Sequence, residues 1–72
     1  MKNVLIIGSE GFIGSACSKY FKSNISNSVT CADIVIMDKD GYIAINPEFP
    51  DFARLFYNRK FDVCINATGA AN

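Results

Sequence analysis

The stretch Gly8-Ser9-Glu10-Gly11-Phe12-Ile13-Gly14 sits where the apolar pattern changes from that of a buried strand to that of a helix. Upstream, Val4-Leu5-Ile6-Ile7 is an unbroken aliphatic run, as a parallel strand covered on both faces requires. Downstream, Ile13, Ala16, Cys17, Tyr20 and Phe21 recur at i, i+3, i+4, i+7 and i+8, which predicts one apolar stripe on an amphipathic helix. In this setting the three glycines serve different purposes. Gly8 allows the tight turn, Gly11 allows close approach of a phosphate to the backbone, and Gly14 allows close helix packing. The first N–H groups of the helix, those of Phe12 and Ile13 among them, have no partner one turn back. With the positive end of the macrodipole they form an anion site that needs no basic side chain. Strand, glycine triplet and helix in this order predict a dinucleotide loop; the same glycines without that context mark only a βα turn.

A dinucleotide loop of this kind calls for a carboxylate about 20 residues further on, at the tip of the second strand, to hold an adenosine ribose. Asp33 lies 19 residues past Gly14 and closes the strand-like run Val29-Thr30-Cys31-Ala32. Asp38 competes, because Ile34-Val35-Ile36-Met37 is equally strand-like and also ends in Asp, but at 24 residues the spacing is long. Spacing favours Asp33, and a solvated loop carboxylate is the plainer reading of Asp38.

Residues 4 to 15 resemble the opening of the extended short-chain dehydrogenase/reductase family, the NAD-dependent epimerases and dehydratases that act mostly on nucleotide sugars. The Gly-x-x-Gly-Phe-Ile-Gly form carries the likeness. Asp33-Ile34 resembles that family's ribose-binding acid and its neighbour, and Phe61-Asp62-Val63-Cys64-Ile65-Asn66-Ala67-Thr68-Gly69 resembles its fourth strand. The resemblance implies cofactor contacts from Gly8, Gly11, Phe12, Ile13, Gly14, Asp33, Ile34, Ala67, Thr68 and Gly69. It also implies NAD rather than NADP, since Asp33 can accept from both ribose hydroxyls and would repel a 2′-phosphate, with no arginine near it in sequence. Three departures stand out. Ile43-Ala44-Ile45-Asn46 offers no acid where the family has one near the adenine, Ile7 replaces a common threonine, and Glu10 adds a negative charge that is expected to point to solvent.

In the family's chemistry a Tyr base with a Lys four residues on assists hydride transfer between sugar and NAD(P). Tyr20, Tyr42 and Tyr57 are followed at that spacing by Asn24, Asn46 and Phe61, and Tyr57 with Lys60 is one residue too close. No catalytic residue is assigned. The chain reads as the N-terminal, NAD-binding part of a nucleotide-sugar epimerase/dehydratase-type oxidoreductase, inactive by itself and meeting the nucleotide sugar only in the intact protein. Two other classes compete: a non-catalytic nucleotide-binding module, and a self-associating half-domain, truncated or engineered, that binds nothing.

Length and composition bound these readings. At 72 residues this is one small α/β unit, and a chain of that size buries only about 60% of its unfolded surface. The final Gly69-Ala70-Ala71-Asn72 follows a strand directly, which predicts a piece of a longer protein, an open apolar edge at Val63-Cys64-Ile65, and a homo-oligomer formed across it. Seven basic and seven acidic residues cancel and form no block, which argues against nucleic acid and anionic membrane as partners. No apolar run approaches transmembrane length and no signal peptide precedes the first strand, so a cytoplasmic chain is expected. Cys17, Cys31 and Cys64 read as core thiols, and the lack of histidine rules out an ordinary zinc site or a His-based triad.

The expected fold is a Rossmann-like mononucleotide-binding half: a mainly parallel sheet of about four strands with two helices. Strands are read at about 3–8, 29–33, 42–46 and 61–67, and helices at 12–22 and 50–59. Pro50 and Asp51 open the second helix, Arg59 and Lys60 close it, and Phe52, Leu55, Phe56 and Tyr57 are its core face. Asp38-Lys39-Asp40-Gly41 reads as a tight hairpin loop between two β-rich runs, with Gly41 at a positive φ.

Overall fold

In a computed structural model, which describes residues 2–49, 51–57 and 59–68, the chain forms six elements. In order they are β1 (Lys2–Ile7), α1 (Phe12–Lys22), β2 (Asn27–Asp33), β3 (Tyr42–Ala44), α2 (Ala53–Phe56) and β4 (Val63–Asn66). The sheet runs β3-β2-β1-β4, and every pairing is parallel. The aliphatic run explains why β1 lies at the centre: Val4, Leu5 and Ile6 are fully buried, which only a strand paired on both edges and covered on both faces achieves. This is an α/β architecture compatible with a Rossmann-like half. The chain turns outward in opposite directions from β1, to β2 on one side and β4 on the other. A topological switch point therefore lies at the carboxyl end of β1, where open α/β sheets hold their ligands.

Alternation along the strands separates two packing faces. On one, Leu5, Ile7, Ala32, Ile45 and Leu55 form the core cluster, with Ile43 and Phe61 packed against it. On the other, α1 covers Val4, Ile6 and Cys31, and the Ser18 hydroxyl lies 3.4 Å from the Cys31 thiol. The helix is rotated from the expected stripe. Its buried residues are Gly14 and Ser18, with Cys17 and Phe21 half-buried, whereas Ile13, Ala16 and Tyr20 are exposed. Small side chains let the helix axis approach the sheet, so the close face is set by size rather than by hydropathy.

The second helix is a single turn rather than the ten residues expected, and it buries Leu55 alone. Phe52, Phe56 and Tyr57 are exposed, not core, although Phe56 meets Phe61 edge-on. One turn presents one side chain to a core, and the neighbours fall off that face. Arg59 and Lys60, expected to close this helix, lie beyond its end at Phe56, and Asp51, expected to open it, precedes its N-cap Phe52; the Arg59 guanidinium does donate back to the Arg54 carbonyl. The expectation for Pro50 falls outside the described residues. Leu55→Ala is expected to cost about 2–4 kcal/mol through lost burial and a residual cavity, and urea unfolding followed by circular dichroism checks it; a loss comparable to that of exposed Phe52→Ala would remove α2 from the core.

The hairpin expected before β3 does not form. Residues 34–41 have no strand, and β3 pairs parallel to β2 from Cys31↔Tyr42 to Asp33↔Ala44. Gly41 does take the expected positive φ, 73°, and a Cβ there would stand 3.2 Å from the Val29 carbonyl oxygen. Strand β2 closes at Asp33, and Asp38 lies exposed in the crossover. Cys31 is a core thiol as read, but Cys17 is half-buried and Cys64 exposed. No helix among the described residues is long and apolar enough to cross a membrane.

Candidate functional site

The loop after β1 is tied to β2 at its start, where the N–H groups of Gly8 and Ser9 donate to the Ala32 carbonyl at 2.7 and 3.2 Å. Gly8 has φ +88°, and a Cβ there would stand 3.0 Å from Ala67 C and Thr68 N, so the end of β4 closes against this turn. Gly14 is seated still more tightly: a Cβ would fall 1.9 Å from the Gly8 carbonyl oxygen. Gly11 differs from both. Its φ is −79°, it is exposed, and a Cβ would meet only the Gly8 oxygen, at 3.5 Å. The fold therefore demands glycine at positions 8 and 14 and leaves open space at 11.

Gly11 is the N-cap of α1 and has no side chain to cap it. The first helical bond runs from Ser15 N–H to the Gly11 carbonyl at 2.9 Å, and among the described residues the N–H groups of Phe12 and Ile13 have no acceptor. Ser9, within the same loop, is 3% exposed, and its hydroxyl has no hydrogen-bond partner among the described residues. Open space over Gly11 and two free helical donors suit a bound anion at the start of α1.

Asp33 projects from the end of β2 beside this loop. One carboxylate oxygen accepts from Glu10 N–H at 2.8 Å and the other from Ile34 N–H at 2.6 Å. Each oxygen keeps a further lone pair, enough for two vicinal hydroxyls. At the end of β4, Ala67 N–H donates to the Ile7 carbonyl at 2.8 Å, while the Asn66 side chain accepts from the Thr68 N–H and hydroxyl. The structure thus gathers Gly8, Gly11, Phe12, Ile13, Gly14, Asp33, Ile34, Ala67 and Thr68 around the carboxyl ends of β1, β2 and β4. Gly69 lies outside the described residues. At the positions where the resemblance leads to an expected acid, Ile45 is buried in the core and Asn46 accepts from Glu48 N–H.

Three contacts escape sequence reasoning. The Glu10 carboxylate does not simply face solvent but pairs with Lys39 Nζ at 3.4 Å, and that ammonium lies 5.2 Å from the centre of the Tyr42 ring. The Tyr42 hydroxyl in turn donates to the Val35 carbonyl across the crossover. Burial, with Asp33, Glu10 and Cys31 nearby, holds the Tyr42 phenol above its ordinary pKa, so it stays protonated as this donor. No local pattern announces these contacts, because they depend on how residues 34–41 cross back to the loop.

A cavity of about 470 Å³, lined by residues including Lys2, Tyr20, Phe21, Asn24 and Asn27, opens at the other end of the sheet. Its polar groups serve the chain itself: Asn24 Oδ1 accepts from Ser26 N–H, and Asn27 Nδ2 donates to the Phe21 carbonyl. No group of three His, Cys, Asp or Glu among the described residues is placed to hold a metal ion. Comparison with protein-family models, with curated proteins and with solved structures finds no match to this chain.

Proposed function

We propose that the chain binds the adenosine and pyrophosphate of NAD, as the cofactor-binding part of an oxidoreductase of the nucleotide-sugar epimerase or dehydratase type. The observation that carries this reading is the contrast among the three glycines. Gly8 and Gly14 answer to packing, whereas Gly11 answers to nothing in the fold and stands between two free N–H donors and the Asp33 carboxylate. Bound NAD would supply the hydride acceptor; the chain's own part is to orient the ribose through Asp33 and the pyrophosphate through the start of α1. Ile34, exposed beside Asp33, suits the apolar face of an adenine. A 2′-phosphate would meet the Asp33 charge at close range, so NAD is preferred to NADP.

Titration of the chain with both dinucleotides, followed by intrinsic tyrosine fluorescence and by thermal shift, tests the proposal. NAD is expected to bind more tightly than NADP. Asp33→Ala removes hydrogen bonds to a charged acceptor, each worth about 1.5–3 kcal/mol, so NAD affinity is expected to fall at least tenfold. Tighter NADP binding, or an Asp33→Ala variant that keeps its NAD preference, would move the ribose role elsewhere.

A further inference from the structure

Lys39 and Glu10 make an ion pair at the rim of the same site, and its placement bears on cofactor choice. Glu10 donates its backbone N–H to Asp33 Oδ2, so its side chain leaves the chain immediately beside the ribose acid. Lys39 arrives from the β2–β3 crossover, 29 residues away in sequence, and places its ammonium on the Glu10 carboxylate and against the Tyr42 ring. The Tyr42 hydroxyl ties the crossover at Val35 to the start of β3, the strand end where Lys39 meets the Tyr42 ring. It is the only salt bridge among the described residues. Both partners are partly open to water, with side chains 48% and 30% exposed. The pair is therefore weak as a source of stability, yet a ligand group of higher charge can compete for it.

We propose, on the basis of the dinucleotide reading, that Glu10 is a second determinant of cofactor choice, setting the site against a 2′-phosphate by holding Lys39 in its ion pair. A phosphate monoester at the ribose 2′ position carries nearly two negative charges, and an unengaged lysine beside Asp33 would attract it as a point charge. Glu10 opposes this twice. Its carboxylate repels the phosphate, and its pairing with Lys39 engages a cation that would otherwise offset that repulsion. A neutral ribose hydroxyl feels neither effect strongly.

The test reads the ratio of NADP to NAD affinity in the full chain at low and at moderate salt. E10Q is expected to shift that ratio toward NADP by about tenfold, with the shift shrinking as salt is added. In E10Q/K39M most of the gain is expected to disappear. An unchanged ratio in E10Q overturns the inference, and so does a gain that survives undiminished in the double variant. If the unaltered chain binds NAD, either result strikes this inference alone; if it binds neither dinucleotide, the underlying reading fails and this inference with it.

Discussion

Gly14→Ala is expected to leave the chain unfolded at 25 °C. The new methyl carbon would stand 1.9 Å from the Gly8 carbonyl oxygen, 2.6 Å from its carbon and 3.0 Å from Ser9 Cα. All three are backbone atoms, and the loop cannot give way, because Gly8 is hydrogen-bonded to Ala32 and has no room for even one more carbon on the side of Ala67 and Thr68. The helix must lift instead. Lifting it opens the Ser18 contact with Cys31 and admits water to Val4 and Ile6. Ordinary overpacking costs about 1–3 kcal/mol, and a clash this severe against fixed backbone should exceed about 4 kcal/mol. A 72-residue domain has a total stability of only about 4 kcal/mol, so a loss of that size exhausts it. Far-UV circular dichroism with thermal melting decides the matter, and a cooperative transition within a few degrees of the parent chain would show that α1 is not seated on Gly8.

Gly11→Val should do the reverse, keeping the fold and abolishing dinucleotide binding. Its φ of −79° is open to any residue, and a Cβ meets only one atom, at 3.5 Å. As an N-cap, valine is poorer than glycine, so stability should drop by about 1 kcal/mol or less. The isopropyl group, however, fills the space through which a bound pyrophosphate would reach the N–H groups of Phe12 and Ile13, and affinity for NAD is expected to fall by more than about 100-fold, which corresponds to about 2.7 kcal/mol. Measured side by side, the two variants separate a glycine required for folding from one available to a ligand. Equal NAD affinity in Gly11→Val and the parent chain would remove the phosphate-loop assignment.

The parts of this architecture legible in the sequence are those fixed by local period. The aliphatic run of β1, the span of α1 and the end of β2 at Asp33 all follow from short-range patterns and one spacing. What is not legible depends on distance or on size. The buried face of α1 departs from the hydropathy pattern because that pattern favours Ile13 and Tyr20, whereas contact with the sheet is made by Gly14 and Ser18, which score as neither apolar nor aromatic. Ile34, Val35 and Ile36 have strand-like side chains, yet β3 reaches only to the level of Asp33, so past that residue there is no neighbouring ladder to join. The same crossover hides the contact of Lys39 with Glu10. In the site, the glycines and Asp33 can be read from the sequence; the free Ser9 hydroxyl cannot, since its burial depends on tertiary packing around the loop.

The all-parallel sheet also dictates an order of assembly. With no hairpin to zip, every strand pair joins distant residues: Cys31 to Tyr42, Lys2 to Asn27 and, most remote, Val4 to Val63. Loop-closure entropy makes β4 the costliest strand to recruit, and long-range pairing of this kind is slow. Yet it is the end of β4 that closes against Gly8. The turn that shapes the glycine loop is therefore completed by the strand costliest to recruit, and a ligand that bound the finished loop would draw that strand into the native state by mass action.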